Sequence, residues 1–414
     1  MQIGIIGAGA AGFFLAIQVK TRCPQAEVTI YEKSSSVLSK VRVSGGGRCN
    51  LTNSFAEVVD LSHIYPRGHR QMKRWLSEFS HTDAFDWFES HGVALVTQDD
   101  QCVFPKAQDS GAVINCLTEH ARRLGVKVRL NHAVHSVVRT ETEQLQIQFQ
   151  GNQPAVLCDK VAVTIGGTPR GEAHDWLSAL GHRMESPCPS LYTFAIQHAT
   201  LNDLMGIVVD QVQVGIAGTK FRAEGTLLIT HWGVSGPAVL RLSSYAARHL
   251  SEQGYRAPLV VSWAGDSTTE EVVDTLQYLS VEHARKQLGS IRPFGLQSRL
   301  WQYLLQRAEL PETRTWAELG KKALNKIATE LTADTYNIAG KGTWKEEFVT
   351  CGGVSLKSIS TKTLESKHCP GLYFAGEVLD VDAVTGGFNL QAAWTMAYVA
   401  AQGMCDAKQL RQVL

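Results

Sequence analysis

The chain has 414 residues, 44% of them hydrophobic and 19% charged, and carries a net charge of +1 at pH 7. That length exceeds one ordinary core, so two or three domains are expected. The near-zero charge excludes a strong global field toward nucleic acid or membrane, and DNA is not an expected partner.

The chain opens on a short apolar run, Met1-Gln2-Ile3-Gly4-Ile5-Ile6, long enough for a buried strand. It passes into Gly7-Ala8-Gly9-Ala10-Ala11-Gly12 and then into helix-like residues 13–19. A second apolar strand, 27–31, ends at Glu32, twenty residues after Gly12. Strand, G-x-G-x-x-G turn, helix, strand and acid together form a dinucleotide fingerprint. Gly7 permits the tight turn, Gly9 lets a pyrophosphate approach the backbone, and Gly12 lets helix and strand pack closely. The phosphates are expected on the free N–H groups of the helix, at Ala10 and Ala11. Glu32, with Lys33 beside it, is placed to bind an adenosine ribose. A carboxylate there repels a 2′-phosphate, so the fingerprint points to FAD or NAD rather than NADP.

The segment Ser44-Gly45-Gly46-Gly47-Arg48-Cys49-Asn50-Leu51-Thr52-Asn53 follows. Its glycines let backbone run against a flat ligand. Arg48 can neutralise a phosphate or a reduced, anionic flavin. Asn50 and Asn53 offer paired donors and acceptors. Cys49 is either a proton donor or nucleophile beside the ring or a small buried filler. Ser44, Gly45, Gly46, Arg48, Cys49 and Asn50 are therefore candidate cofactor contacts.

Residues 61–93 read as helical and partly basic, and Val103-Phe104-Pro105 ends that stretch. Apolar spacing predicts a helix over 110–124, ended by Gly125. A strand is expected at 126–130, then hairpin-like runs near 133–138, 144–149 and 155–165. Val134, in the first of these runs, and Gly166, just after the last, are further candidate cofactor contacts. The middle of the chain reads as short strands at 193–197, 206–214, 221–229 and 258–263, suggesting a small barrel or sandwich, with one helix at 237–250. Residues 269–333 switch to helical periodicity, and strand-and-glycine character returns after Lys341. The simplest organisation is one discontinuous α/β domain (1–189 and 345–414) carrying an inserted mixed unit, with barrel-like strands at 190–267 and 334–344 and helices at 268–333.

A second strong signal lies near the far end. Gly371-Leu372-Tyr373-Phe374-Ala375-Gly376-Glu377 is an apolar strand ending in glycine and an acid. Thr385-Gly386-Gly387-Phe388-Asn389-Leu390-Gln391 then turns into a helix. A second acid at a strand end can bind ribityl or phosphate groups. A second helix N-terminus can stabilise electron density on a flavin pyrimidine ring. Gly376, Glu377, Gly387, Phe388 and Asn389 join the cofactor set, and two such sites in one chain favour FAD. No second G-x-G-x-x-G follows a strand, so NAD(P)H, if it donates electrons, is expected to bind transiently.

Other features bound the setting. No apolar stretch approaches a membrane span, and the opening residues carry no signal-peptide pattern. Nine scattered cysteines without a C-x-x-C pair disfavour a zinc or dithiol motif, so no metal site is expected. They fit a reducing compartment, and the expected location is cytoplasmic.

The strings at 7–12, 44–53, Thr230-His231-Trp232-Gly233-Val234-Ser235-Gly236-Pro237-Ala238, Cys351-Gly352-Gly353-Val354 and 376–391 carry a family resemblance. Together they resemble the BaiN/YhiN-like, aminoacetone-oxidase-like three-domain flavoproteins, over essentially the whole chain. The resemblance implies an α/β fold: a Rossmann-type, glutathione-reductase-like FAD domain split around a β-barrel and a helical bundle. Family members usually carry Gly-Arg-Lys before the glycine-rich string. Here Leu38-Ser39-Lys40 stands in that place, so only Lys40 is kept as a cofactor contact. A glycine often seen after the second Asp of the C-terminal motif is Ala383 here.

The resemblance implies substrates that range from small amines, through steroid-like enones, to a uridine base in ribosomal RNA. The leading expectation is an FAD-dependent oxidoreductase. It would pass a hydride between flavin N5 and a substrate held between the FAD domain and the insert, with NAD(P)H as donor. His231, in a glycine-rich turn just before the helix expected at 237–250, and Cys49 are the candidate proton-handling residues. The alternatives are an RNA-modifying flavoenzyme and a non-enzymatic flavin-binding protein. For RNA, residues 63–75 hold Arg67, Arg70, Lys73 and Arg74 without an acid, and residues 281–330 hold nine Lys or Arg against five acids.

Overall fold

The run Gln2–Ile6 is buried along nearly its whole length, as a strand covered on both faces must be. In the computed structural model, which describes residues 1–167, 175–342 and 349–406, it is the centre of a parallel sheet. The sheet order is Leu372–Phe374, Lys160–Val163, Gln2–Ile6, Glu27–Tyr31 and Lys127–Arg129. The register aligns Ile6 with Tyr31 on one side and with Val163 on the other, and Val163 with Phe374. The chain leaves Gln2–Ile6 toward one edge and later returns on its other side. This reversal opens a crevice at the carboxyl ends of the strands. All the strand-end glycines and acids singled out above therefore reach one rim.

The chain divides into two units, Met1–Cys188 with Val349–Leu414, and Pro189–Phe348. The expected return at 344/345 lies outside the described residues. In the first unit the helix Ala10–Arg22 is buried from Ala11 through Val19. It packs against the last helix, Phe388–Cys405, which is also apolar on nearly every side. Phe14 sits between them with ring centres 5.5 Å from Trp394 and 5.4 Å from Phe79. Each such buried aromatic contributes about 1.5–3 kcal/mol.

A small antiparallel sheet joins Thr52–Asn53, Cys102–Pro105 and Leu95–Thr97. The residues expected to end the preceding helical stretch are its middle strand. Residues Val134–Arg139, Leu145–Phe149 and Val156–Cys158 form the expected hairpins.

The second unit holds a closed barrel, in the order Phe194–Ile196, Gly233–Ser235, Arg222–Thr230, Val208–Ile216, Ala257–Ser262 and Asp334–Lys341. Alternation fixes its inside: Ala223, Leu227 and Ile229 are buried along one strand, and Val212, Val214 and Ile216 along its neighbour. The helices Thr269–Glu282, Ser298–Arg307 and Lys321–Thr332 lie in sequence between the last two barrel strands. Their Leu276, Trp301 and Ile327 belong to the same hydrophobic cluster as the barrel interior. The single helix expected at 237–250 is broken at Ala246 into Pro237–Tyr245 and Ala247–Glu252.

Candidate active site

The first half of the site is built by residues 7–12. Gly7 has φ +108° and its N–H donates to Tyr31 O at 2.8 Å. A Cβ on Gly12 would stand 2.0 Å from Gly7 O and 2.8 Å from Thr164 Oγ1, so only glycine permits this approach. Thr164 Oγ1 also reaches the carbonyls of Ile6 and Gly7, at 3.0 and 2.9 Å. This threonine, at the end of the apolar run 161–163, ties the return strand to the turn. A Cβ on Gly9 would meet nothing within 4 Å. Open space therefore lies beside Gly9, next to the first-turn N–H groups of Ala10, Ala11 and Gly12, which have no intrahelical acceptor.

Glu32 sits at the next strand end. Its Oε2 accepts from Ala8 N at 2.8 Å, and its Oε1 from Ser34 N and Ser34 Oγ at 2.9 and 2.8 Å. These bonds fix the carboxylate and leave it lone pairs for a ribose hydroxyl. Lys33 is exposed beside it, and Val134 opens an edge strand of the hairpin sheet.

The second half gathers around Glu377. Its Oε1 accepts from Thr350 N at 2.7 Å and its Oε2 pairs with Lys40 Nζ at 2.7 Å. Gly166, with φ +74°, passes so close that its Cβ would stand 3.7 Å from Glu377 Oε2, and a Cβ on Gly376 would stand 3.0 Å from Ala11 Cβ. Residues from 11, 40, 166, 350 and 377 thus converge.

Residues 44–53 run through a tight helical turn, Ser44–Gly47, and an irregular stretch into the short strand Thr52–Asn53. Gly45, Gly46 and Gly47 all have positive φ, and a Cβ on Gly46 would meet nothing within 4 Å. Ser44 Oγ donates to Val41 O at 2.9 Å. Arg48 is committed locally. Its Nε donates to Gly45 O at 3.1 Å, its Nη1 to Gln108 at 3.2 Å, and its guanidinium lies 4.2 Å over the Phe104 ring. The phosphate-neutralising role expected of Arg48 would require breaking these contacts.

Cys49 is fully buried with φ +64°, and burial pushes its thiol up to about 12. It keeps its proton at neutral pH, which speaks against a thiolate nucleophile and leaves the proton donor and the buried filler as the readings of Cys49.

The last helix begins at Phe388, after Gly386 and Gly387 at φ +128° and +87°. With its amide oriented to satisfy both ends, Asn50 Nδ2 donates to Thr52 O at 3.0 Å and Asn50 Oδ1 accepts from Gly387 N at 3.2 Å. Asn53 Nδ2 donates to Gly386 O at 3.1 Å. Phe388 is buried, its ring edge-on to Phe55, and its carbonyl accepts from Tyr65 OH at 3.0 Å. Asn389 turns to its own loop: Oδ1 accepts from Ala383 N and Nδ2 donates to Ala383 O, both at 2.9 Å. Its side chain shapes the turn.

Arg67 of the basic segment is not a free cation. It forms a two-point ion pair with the buried Asp382, with Nε to Oδ1 at 2.6 Å. Arg70, Lys73 and Arg74 stay exposed on the helix His69–Leu76, whose Met72 and Trp75 face the core.

His231 belongs to the second unit and is exposed. It lies in the turn between two barrel strands, so a strand, Gly233–Ser235, separates it from the helix that glycine spacing placed directly after it. Its ring stands edge-on to Trp232 at 4.4 Å.

The arrangement of the first unit fits an extended dinucleotide. Two helix N-termini with glycine entries, open backbone at Gly9 and Gly46, and fixed acids at Glu32 and Glu377 share one unit. FAD held there would rest its pyrophosphate on the first helix and its isoalloxazine toward residues 44–53 and the last helix. It would supply the hydride chemistry.

Comparison with known proteins agrees with this geometry. The model described as HI0933-like protein Rossmann domain matches residues 1–403. A protein of Escherichia coli (strain K12) named ribosomal RNA dihydrouridine synthase is 30% identical, over 98% of each chain. A protein of Clostridium scindens named 3-dehydro-bile acid delta(4,6)-reductase is 26% identical, over 98% of this chain and 99% of its own. Among solved structures, a 3-ketosteroid-delta4-(5alpha)-dehydrogenase from Rhodococcus jostii RHA1 superposes with TM-score 0.51 at 14% identity, covering 98% of this chain and 96% of its own. That likeness shows the fold. No helix among the described residues is long and apolar enough to cross a membrane. The chain belongs to the HI0933-like family of Rossmann-fold, FAD-dependent oxidoreductases.

Proposed function

We propose that the protein is a reductase that passes a hydride from flavin N5 to an unsaturated carbon of its substrate, with NAD(P)H as the transient donor. One observation carries the reading: both glycine-entered helix N-termini stand in a single unit, at the residues 7–12 and 386–390. The chain's own contribution is to bind and orient. Residues 10–12 take the pyrophosphate, Glu32 takes the ribose, and Lys40 with Glu377 fixes the rim beside the ribityl chain. Free amides at 388–390 lie where negative charge gathers on the reduced pyrimidine ring. Cys49, as a neutral thiol, holds a proton beneath this segment and supplies no anion. His231 is the proposed proton donor from the second unit. A scattered set of cysteines that form no disulfide among the described residues goes with a cytoplasmic setting.

Anaerobic stopped-flow mixing of the flavin-loaded protein with NADH and with NADPH tests the reading. Bleaching of the flavin band by either nucleotide supports it. A flavin that stays oxidised with both, yet is reduced by dithionite, defeats the nicotinamide step.

The relative named for ribosomal RNA favours a uridine base as the substrate, and the exposed Arg70, Lys73 and Arg74 supply cations for a phosphate backbone. The relative named for a bile acid favours a steroid-like enone. Salt separates them. RNA binding should weaken steeply between 50 and 200 mM salt, whereas an uncharged steroid should bind equally at both.

A further inference from the structure

Four hydrogen bonds close a ring around the first turn of the last helix. Gly387 N donates to Asn50 Oδ1, and Asn50 Nδ2 donates to Thr52 O. Thr52 Oγ1 donates to Gln391 Oε1 at 2.6 Å. Gln391 N donates back to Gly387 O at 3.0 Å. A Cβ on Gly387 would stand 2.2 Å from Thr52 O, so the strand residue lies directly on the helix cap.

Gln391 is the member that has no obvious reason to be polar. Its side chain is fully buried, where an unsatisfied amide is costly. It is satisfied at both ends. Its Oε1 takes the Thr52 hydroxyl, and its Nε2 donates to Thr395 Oγ1 at 3.0 Å. Thr395 Oγ1 in turn donates to Phe79 O at 2.8 Å. Every donor in this line points one way, from Thr52 to Gln391 and from Gln391 through Thr395 to a backbone carbonyl. A leucine of similar size would fill the space without the link.

We propose that Gln391 is a positioning residue that sets the reduction potential of the bound flavin, acting through Thr52 and the 44–53 segment. The ring uses the Gly387 amide internally and leaves the amides of Phe388, Asn389 and Leu390 as the helix's free donors. It also holds residues 44–53 against that helix end. These donors stabilise negative charge on the reduced ring more than the neutral oxidised ring, so their exact register favours reduction. Loosening the ring lets them drift and lowers the potential. The inference rests on the reading that the pyrimidine end of FAD lies at this helix terminus.

The test measures the potential of the flavin-loaded protein by equilibration with an indicator dye during slow reduction. Three variants are compared with wild type: Thr52→Val, which removes the hydroxyl at constant shape, Thr52→Ser, which restores it, and Gln391→Leu. Thr52→Val is expected to lower the reduced-to-oxidised ratio about tenfold at a fixed dye ratio, a fall of about 30 mV for the two-electron couple. Gln391→Leu should fall equally, the double variant no further, and Thr52→Ser should read as wild type. If Gln391→Leu does not fold, the threonine pair still reads the same link. Folded, flavin-loaded Thr52→Val with the wild-type potential overturns the inference, as does Thr52→Ser shifting as far as Thr52→Val. A wild-type protein that takes up no FAD overturns the underlying reading and is recognised at once by its absorption spectrum.

Discussion

Asp382 is buried against Arg67, and the two meet through a two-point ion pair that joins residues 315 positions apart. The pair links the loop before the helix His69–Leu76 to the loop before the last helix. Its charges are withdrawn from water, so its value lies in geometry more than in net attraction. Asp382→Asn removes the carboxylate charge of this buried pair and should destabilise the protein by about 3–5 kcal/mol. Urea unfolding of the two proteins checks this. A loss below about 1 kcal/mol would show that the Asp382 charge is not what holds the two loops together.

Gly9 and Gly12 should respond oppositely to the same small change. Gly9→Ala meets no protein atom within 4 Å, so the apoprotein should keep its stability to within about 0.5 kcal/mol. The added methyl instead enters the space beside the helix amides, and FAD affinity should drop at least about tenfold. Gly12→Ala drives a methyl into Gly7 O and should cost the fold itself about 1–3 kcal/mol or more. Thermal melts with and without FAD distinguish the two behaviours.

Cys49 should be inert to alkylation. With its thiol pushed up to about 12 by burial, iodoacetamide at pH 8 should leave it unlabelled in the native protein and label it in urea. Cys49→Ala should keep flavin reduction within a few-fold of wild type. A loss of about a hundredfold or more in that variant would return Cys49 to the chemistry as a proton donor.

The barrel unit carries a pH dependence of its own. Asp334 is buried; it pairs with Arg307 at 2.7 Å and accepts from Trp263 Nε1 at 2.9 Å and from Tyr336 OH. Burial outweighs these partners and raises its carboxyl to about 6. A raised acid binds its proton more tightly when folded than when unfolded. Stability from this group is therefore complete below the unfolded value, near 4, and is lost as pH rises through about 6. The full effect is about 3 kcal/mol. Stability should fall by about 1.4 kcal/mol, a little under half of that amount, between pH 5 and pH 7.5, and Asp334→Asn should flatten the slope.

What the sequence made legible was local. Residues 7–12 are readable because turn, cap and close packing are decided within six residues, and Glu32 because strand length fixes its place. Residues 386–391 are readable for the same reason. What stayed hidden is pairing at long range. Thr52 and Gln391 are 339 positions apart, and nothing in either neighbourhood announces the other. Arg67 read as one cation among four because its partner lies beyond any local window. Arg48 and Asn389 were the right residue types for ligand contacts, but nearby backbone carbonyls and amides competed for them. His231 was placed next to a helix because a three-residue strand, Gly233–Ser235, is too short to show a period.

The central sheet takes its edge strand, Leu372–Phe374, from residues far downstream of the strand Lys160–Val163 that it joins. The helix cap that meets Thr52 comes later still. During synthesis the barrel unit is therefore finished while the nucleotide cradle is half made. The side of the first helix that meets the last helix must wait uncovered until that partner is translated. Contacts of such separation close slowly. Cofactor capture is thereby delayed to the last stage of folding, and a stalled or shortened chain would expose the Phe14 face as an aggregation surface.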